Sequence, residues 1–457
     1  MSDGASPPAE SPGRERGLPL GRLIAFAAPA APISAIDTPI SVYLPAFYGG
    51  LGLSLGLVGA AFFIGRIAEI PLALSAGAVS DRFGWAKHRR KFWLAAAAPF
   101  GMAAIWAVFA PPDNPSGGYL IGWLLAAVAA LTLLSINHVA WGSEATARYH
   151  ERTRIQASRQ IASVAGLVLV LAAPILIERA HPGGADRLRM AAIGGFFVLL
   201  LPLTVAAAAL LAPERPSPRP AVTRTSLKAA FAALQGDRAL RRLLLVDLCD
   251  AGALGIVTSL FVFLARDVWG LGRISSLLLL AYVLSGVVFL GPILKAAGGR
   301  TKPRTMAWIA LGLTLALPAI LLVPAGGVAA AVLCVVLLGA PSATNTALLD
   351  SMMGDIAAED AARRGEVRTG LYYALHLIMG RVGRGVAIAV AFALLDRIGF
   401  GPNRANAPAA VNAFKLIYVG APVALQLAIA RLTWTFPVPE PVVPGVRRQA
   451  QPGAAAG

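Results

Sequence analysis

The segment "RIAEIPLALSAGAVSDRFGWAKHRRK", Arg66–Lys91, decides how the rest of the chain is read. It begins as an apolar run carrying two charges, Arg66 and Glu69. It ends as a polar, strongly basic stretch. Within it lies G-x-x-x-D-R-x-G, at Gly77, Asp81, Arg82 and Gly84. Gly77 permits close helix contact. Asp81 falls where a helix ends, and a negative charge there is unfavourable unless paired. Arg82 or a neighbouring basic side chain can pair with it. Such a clamp can break and re-form.

The composition explains why charge is rationed. The chain has 457 residues, 57% of them hydrophobic and only 14% charged. Soluble domains carry about 25% charged residues. Apolar runs that match the ~20 residues of a bilayer crossing recur along the whole length. The reading is an all-α polytopic membrane protein with the lipid bilayer as its main partner. The net charge of +17 reflects Lys and Arg collected in cytoplasmic loops rather than a nucleic-acid surface. The two cysteines, Cys249 and Cys334, lie in apolar runs and suggest neither disulfide nor zinc.

Run length and breakers place twelve spans. They fall at 23–48, 53–79, 92–110, 119–142, 161–180, 190–212, 243–266, 274–296, 306–324, 327–349, 370–395 and 410–434. With the N-terminus inside, most of the 40 Lys and Arg fall on the cytoplasmic side. This favours both termini in the cytoplasm of the cell (inner) membrane. A Pro-rich linker, 213–242, contains a short amphipathic stretch near Ser226–Leu234. It divides two six-helix bundles, 23–212 and 243–434. The tails, 1–22 and 435–457, read as disordered and cytoplasmic. "GPILKAAGGRTKPR", Gly291–Arg304, is a weaker copy of the loop after the second span. Two related halves of this kind form a pseudo-symmetric pair.

The loop motif at Gly77–Gly84 resembles the signature of the major facilitator superfamily. Three more stretches narrow the likeness: "YLPAFYGGLGLS" from Tyr43, "AWGSEATARYHERTRIQASRQIASVAGL" from Ala140, and "DSMMGDIAAEDAARRGEVRTGLYYALHLIMGRVGRG" from Asp350. Together they resemble the glycoside-pentoside-hexuronide:cation symporter branch, the family of the melibiose permease. The likeness runs from about Tyr43 to Arg431. It implies a secondary transporter that moves a sugar or sugar-like solute by alternating access, coupled to H+ or Na+, with no other cofactor. It also leaves open a lysolipid or other amphipathic cargo of the same fold, and proton-linked efflux.

Charges within spans are candidate site residues, because each costs ~2.5–3.5 kcal/mol or more at the bilayer centre unless it has a partner or a cavity. Arg66 and Glu69 share a helix face and can pair. In the resembled family a second acid follows the place of Glu69 by four residues, and the two acids bind the cation. Here that second place is Ala73. One carboxylate beside an arginine is a poor sodium cage but can carry a proton. Asp37 sits between Pro32 and Pro39, where freed carbonyls can line a cavity. The place of Asn137 is often an aspartate in the family, and Trp141 follows it on one face. Trp141 is either a ring for a sugar to stack on or an interfacial belt residue. Arg159 matches a substrate-contacting arginine, or is one more cytoplasmic basic residue. Asp247 and Asp250 open the seventh span on one face. His376 and Arg381 lie in the eleventh span, Arg381 at the place of a family lysine, with Arg384 following. The run from Asp355 to Arg368 resembles a cytoplasmic gate helix, so the gate residues are Gly77, Asp81, Arg82 and Asp355.

No G-x-x-x-x-G-K-[ST] suggests ATP as a driver, and no G-x-S-x-G or H-E-x-x-H suggests hydrolysis. The expectation is therefore a carrier and not an enzyme. It takes a small-molecule substrate, works as a monomer and binds no structural metal.

Overall fold

The protein is seen in a computed structural model that describes residues 18–82, 88–144, 149–180, 186–214, 237–364, 369–402 and 406–437. Regular structure among these residues is entirely helical. Among the described residues, eleven helical spans are long and apolar enough to cross a membrane. The helix Arg238–Ser259 and the turn Phe261–Val268, bent by 41° at their junction, make a twelfth crossing when counted as one. The expected tails, the amphipathic stretch near Ser226–Leu234 and the loop 83–87 lie outside the described residues, apart from the few tail residues at 18–22 and 435–437.

The first span, Leu20–Gly50, is three helices in series: Leu20–Ala27, Ala30–Ala35 and Asp37–Gly50. Pro29, Pro32 and Pro39 each remove an N–H donor and fix φ, so one unbroken ladder cannot form. The breaks give the last piece its own N-terminus, with Asp37 in its first turn. There a carboxylate lies at the positive end of the helix dipole.

The second to sixth spans are the helices Leu55–Arg82, Arg89–Phe109, Gly117–Glu144, Tyr149–Ala180 and Asp186–Leu211. The eighth is Ser275–Ala296, the ninth Lys302–Leu322, the eleventh Thr369–Arg397 and the twelfth Pro408–Trp434. The tenth differs from the sequence limits of 327–349. It runs Val328–Gly339, breaks beside Pro341, and continues as one helix Ser342–Arg364. Nothing between 350 and 364 stops a helix, so the charged part of the expected gate helix is the tenth span prolonged.

Two compact units emerge. One comprises the residues to Val222 with Thr258–Leu280 and Ala389–Ala410. The other comprises Thr223–Val257, Ala281–Ile388 and the residues from Val411. In the first unit, a Cβ on Gly166 would stand 2.3 Å from the carbonyl oxygen of Ala31, so the fifth and first spans meet backbone to backbone. Gly65 faces Leu124, joining second to fourth. Segments from the second half of the sequence complete this unit: Phe263 packs edge-on against Phe392 and Phe400, and Gly59 seats Phe392 on the second span.

In the second unit, a Cβ on Gly383 would stand 2.4 Å from the carbonyl oxygen of Leu248. One on Gly339 would stand 2.2 Å from that of Tyr282. These contacts join eleventh to seventh and tenth to eighth. The same two span pairings thus occur in each half, shifted by six spans. Small residues that let helix backbones approach are what lipid, which offers no hydrophobic drive for association, requires. Leu199, Leu210, Leu315, Leu322 and Leu416 are largely exposed, as suits a surface that meets acyl chains.

Candidate functional site

The first unit contains a buried guanidinium shared between two spans. Arg66 is 6% exposed. Its Nη2 donates to Asp37 Oδ1 at 3.1 Å and to Ser41 Oγ at 2.8 Å, and its Nη1 donates to Glu69 Oε2 at 3.4 Å. One positive charge therefore lies between two carboxylates. A buried cation needs such compensation, and the arginine takes one oxygen of each carboxylate.

A second cluster lies where the third and fourth spans meet. Arg90 Nη2 donates to Glu144 Oε1 at 2.5 Å and its Nε to Glu144 Oε2 at 3.3 Å. This two-pronged geometry suits a guanidinium and a carboxylate. Arg90 also donates to Ser80 Oγ at 3.2 Å and to Asn137 Oδ1 at 3.3 Å. Glu214 accepts the backbone N–H groups of Arg90 and Lys91 at 2.7 and 3.2 Å. It thereby satisfies the open N-terminus of the third span.

Asn137, fully buried, thus serves this charged knot. Trp141 differs from the expectation of an available stacking face. It is 1% exposed, lies edge-on to Phe26, has the Lys91 ammonium over its ring and donates its indole N–H to the Pro213 carbonyl at 3.1 Å. Packing encloses the ring on the sides a sugar would need. Arg159 donates to Gln156 Oε1 at 2.5 Å on its own helix.

A third cluster went unnoticed in the sequence. Glu178, 7% exposed, accepts from Ser275 Oγ at 3.0 Å, Ser276 Oγ at 2.6 Å, the Ser276 N–H at 3.3 Å and Arg189 Nη1 at 2.9 Å. Tyr43 donates its hydroxyl to Ser276 Oγ at 2.7 Å. Arg189 also binds Asp186, which faces Arg266 at 3.7 Å. Glu178 caps the N-terminus of the eighth span, where an anion is favoured. It ties the first, fifth, sixth and eighth spans together.

In the second unit, His376 on the eleventh span stands between two carboxylates. Its Nδ1 is 2.9 Å from Asp247 Oδ2 on the seventh span, and its Nε2 is 3.2 Å from Asp350 Oδ1 on the tenth. Asp250, one turn beyond Asp247, accepts from Asn345 Nδ2 at 3.1 Å. Asp250 and Asn345 help to line a cavity of about 570 Å³ with Tyr282, Ser342, Thr346 and Gln426; its other walls are mostly apolar. Asn345 Oδ1 and Gln426 Oε1 are buried and receive no hydrogen bond from the described residues. Such orphan acceptors are costly and point to a partner. Arg381 follows His376 by just over one helical turn. A Cβ on Gly255 would touch Arg384, whose helix therefore packs hard on the seventh span.

Of the expected gate residues, Gly77, Asp81 and Arg82 end the second-span helix, and their side chains lie outside the description. Asp355 pairs with Lys302 Nζ at 2.5 Å. The structure therefore brings together Asp37, Arg66 and Glu69 in one unit, and Asp247, Asp250 and His376 in the other. Asn137 and Trp141 are engaged elsewhere. Among the described residues, no group of three or more His, Cys, Asp and Glu is placed to hold a metal ion.

Eleven or twelve apolar spans, a packing pattern repeated between the halves and a few charged clusters buried among the spans define a polytopic helical membrane protein. The profile of the family described as "MFS/sugar transport protein" matches residues 25–440, and the chain belongs to that family of the major facilitator superfamily. It is a multi-pass membrane protein that transports small solutes by secondary transport, and its family is one of transporters rather than enzymes. No curated protein sequence matches it. Solved structures similar in fold include the nucleoside transporter NupG, at 14% identity and a TM-score of 0.68, covering 90% of this chain and 99% of that one. A bacterial homolog of the human lysosomal transporter Spinster, inward-facing and unoccupied, is similar at 14% identity and a TM-score of 0.64, covering 92% and 98%. A D-xylose-proton symporter is similar at 17% identity and a TM-score of 0.59, covering 92% and 96%.

Proposed function

We propose that the protein is a symporter for a small hydroxylated solute, a sugar or a sugar-like molecule, and that a proton is the coupling cation. The observation that carries the cargo reading is the lining of the cavity in the second unit. One carboxylate, two amides and three hydroxyl-bearing residues line this partly open space, a mixture of polar groups on apolar walls of the kind small-molecule sites use. Two of the amide oxygens are left without donors. Hydroxyl groups of a sugar are donors of the kind these acceptors lack, and the apolar walls suit the C–H faces of its ring.

The coupling reading rests on Arg66. Its guanidinium already pairs with one oxygen each of Asp37 and Glu69, leaving the cluster one negative charge in excess. Sodium prefers several free oxygens, and the family's second acid is Ala73 here. A proton needs only one carboxylate or imidazole. The net charge of +17, gathered in the segments assigned to the cytoplasm, supports insertion in the cell (inner) membrane with both termini inside. The working unit in this reading is a monomer.

A thermal-shift screen of purified protein against pentoses, hexoses, disaccharides, nucleosides and lysolipids tests the cargo. The expected result is stabilisation by one class of hydroxylated solute, abolished by Asp250→Asn. Stabilisation by lysolipid alone would replace the sugar reading with an amphipathic cargo.

A further inference from the structure

The second unit contains a chain of groups that leads from an exposed acid to a buried one. Asp350 is 54% exposed at its side chain, His376 19% and Asp247 7%. The imidazole nitrogens lie near different carboxylates, Nε2 3.2 Å from Asp350 Oδ1 and Nδ1 2.9 Å from Asp247 Oδ2. The inner pair is close but not aligned as a hydrogen bond, so a small turn of the ring precedes each inner transfer. An imidazole can accept a proton at one nitrogen and release one from the other. We infer that Asp350, His376 and Asp247 form the relay that loads and unloads the coupling proton, placing that step in the second half of the sequence rather than at Glu69. This inference rests on the proton-symport reading above.

The atoms balance without any co-reactant. The O–H bond of protonated Asp350 breaks as an Nε2–H bond forms. The Nδ1–H bond breaks as an O–H bond forms on Asp247 Oδ2. One proton moves from the exposed carboxyl to the buried one, Asp350 becomes the anion, and the ring ends neutral in its other tautomer. A ring turn or the reverse transfer resets it.

Burial supplies the linkage to conformation. With the proton aboard, either Asp247 is neutral or its charge is matched by an imidazolium. With the proton gone, Asp247 remains as a buried carboxylate, a costly state in the bilayer interior. The charged groups bearing on the relay are few. Asp250 lies one turn from Asp247 and interacts with both it and Arg384. Arg381 and Arg384 share the helix of His376. Tyr373, on the same helix, donates its hydroxyl to the Asp350 carbonyl at 3.1 Å. Gly380 leaves room beside the Asp247 carboxylate, where a Cβ would stand at 3.7 Å.

The test needs no cargo. Full-length protein in liposomes on a solid-supported membrane is given a pH jump, and the displacement current of proton entry is recorded. Wild type should give a transient current. His376→Gln and Asp247→Asn should abolish it, and Asp350→Asn should slow its rise by roughly tenfold or more, since it removes a positioned proton donor. Asp350 is exposed, so this last variant reports on the relay even if a buried substitution prevents folding. A full wild-type current in His376→Gln, an unchanged rise in Asp350→Asn, or no current in wild type would overturn the relay. Failure of the symport reading has a different signature: a proton transient that persists while no solute of the panel evokes a further current.

Discussion

Arg66 Nη2 lies 3.1 Å from Asp37 Oδ1, which makes the break in the first span an electrostatic partner of the second. The guanidinium is buried while its carboxylates are partly open. Removing the arginine therefore takes a buried positive charge from beside two acids. Arg66→Met should destabilise the protein by about 3 kcal/mol, read as a fall in unfolding temperature in detergent. Arg66→Met combined with Glu69→Gln should recover part of that loss, because the second change removes one of the two like charges. An Arg66→Met protein as stable as wild type would show that the cluster contributes no clamp.

Glu178 holds the start of the eighth span through Ser275 and Ser276. Hydrogen bonds to a charged acceptor are worth about 1.5–3 kcal/mol. Glu178→Gln should speed amide hydrogen exchange at residues 275–277 by roughly tenfold or more. Unchanged exchange there would mean that the carboxylate adds nothing to the helix start.

The length and order of the spans were legible because they depend on local composition. Pairing of Arg66 with Glu69 was also legible, since three residues separate them on one helix. The remaining relationships were not, and the reason is separation along the chain. Asp37 reaches Arg66 across 29 residues, and Glu178 reaches Ser275 across 97. No periodicity encodes either. Glu178 sits beside Arg179 at a span end, where nothing in the local sequence separates it from an ordinary interfacial charge. Asp350 falls just past the expected end of the tenth span, because the helix that prolongs that span is charged rather than apolar. Trp141 shows the opposite failure: its spacing from Asn137 suggested a stacking face, whereas tertiary packing against Phe26 and Lys91 encloses it.

The close approach of the eighth and tenth spans predicts a sharp contrast between two glycines. A side chain on Gly339 would meet the Tyr282 carbonyl and Ser285 Oγ, whereas Gly122 has nothing within 4 Å of its would-be Cβ. Gly339→Val should cost at least about 2 kcal/mol through overpacking. Gly122→Ala should be neutral or slightly stabilising, since alanine favours helix by about 1 kcal/mol over glycine. Unfolding temperatures of the two variants give the comparison. Equal tolerance would contradict the backbone contact.

Gln426 predicts a split between stability and function. Its Oε1 is buried without a donor, so Gln426→Leu should leave the fold unharmed or raise its stability by about 1 kcal/mol. The same change removes a cavity acceptor and should weaken cargo binding by about tenfold. Melting curves and uptake affinity, measured on one preparation, check both halves. Lost stability with unchanged affinity would remove Gln426 from the cargo site.

Uptake into proteoliposomes tests the central claim most directly. Labelled pentoses, hexoses, disaccharides and nucleosides are offered with and without a pH gradient that is acidic on the side of the cargo, in sodium-free buffer. The account predicts saturable uptake of one hydroxylated class, driven above equilibrium by the gradient and dissipated when the gradient is collapsed. Uptake that requires sodium and ignores the pH gradient, or no saturable uptake of any solute in the panel, would contradict it.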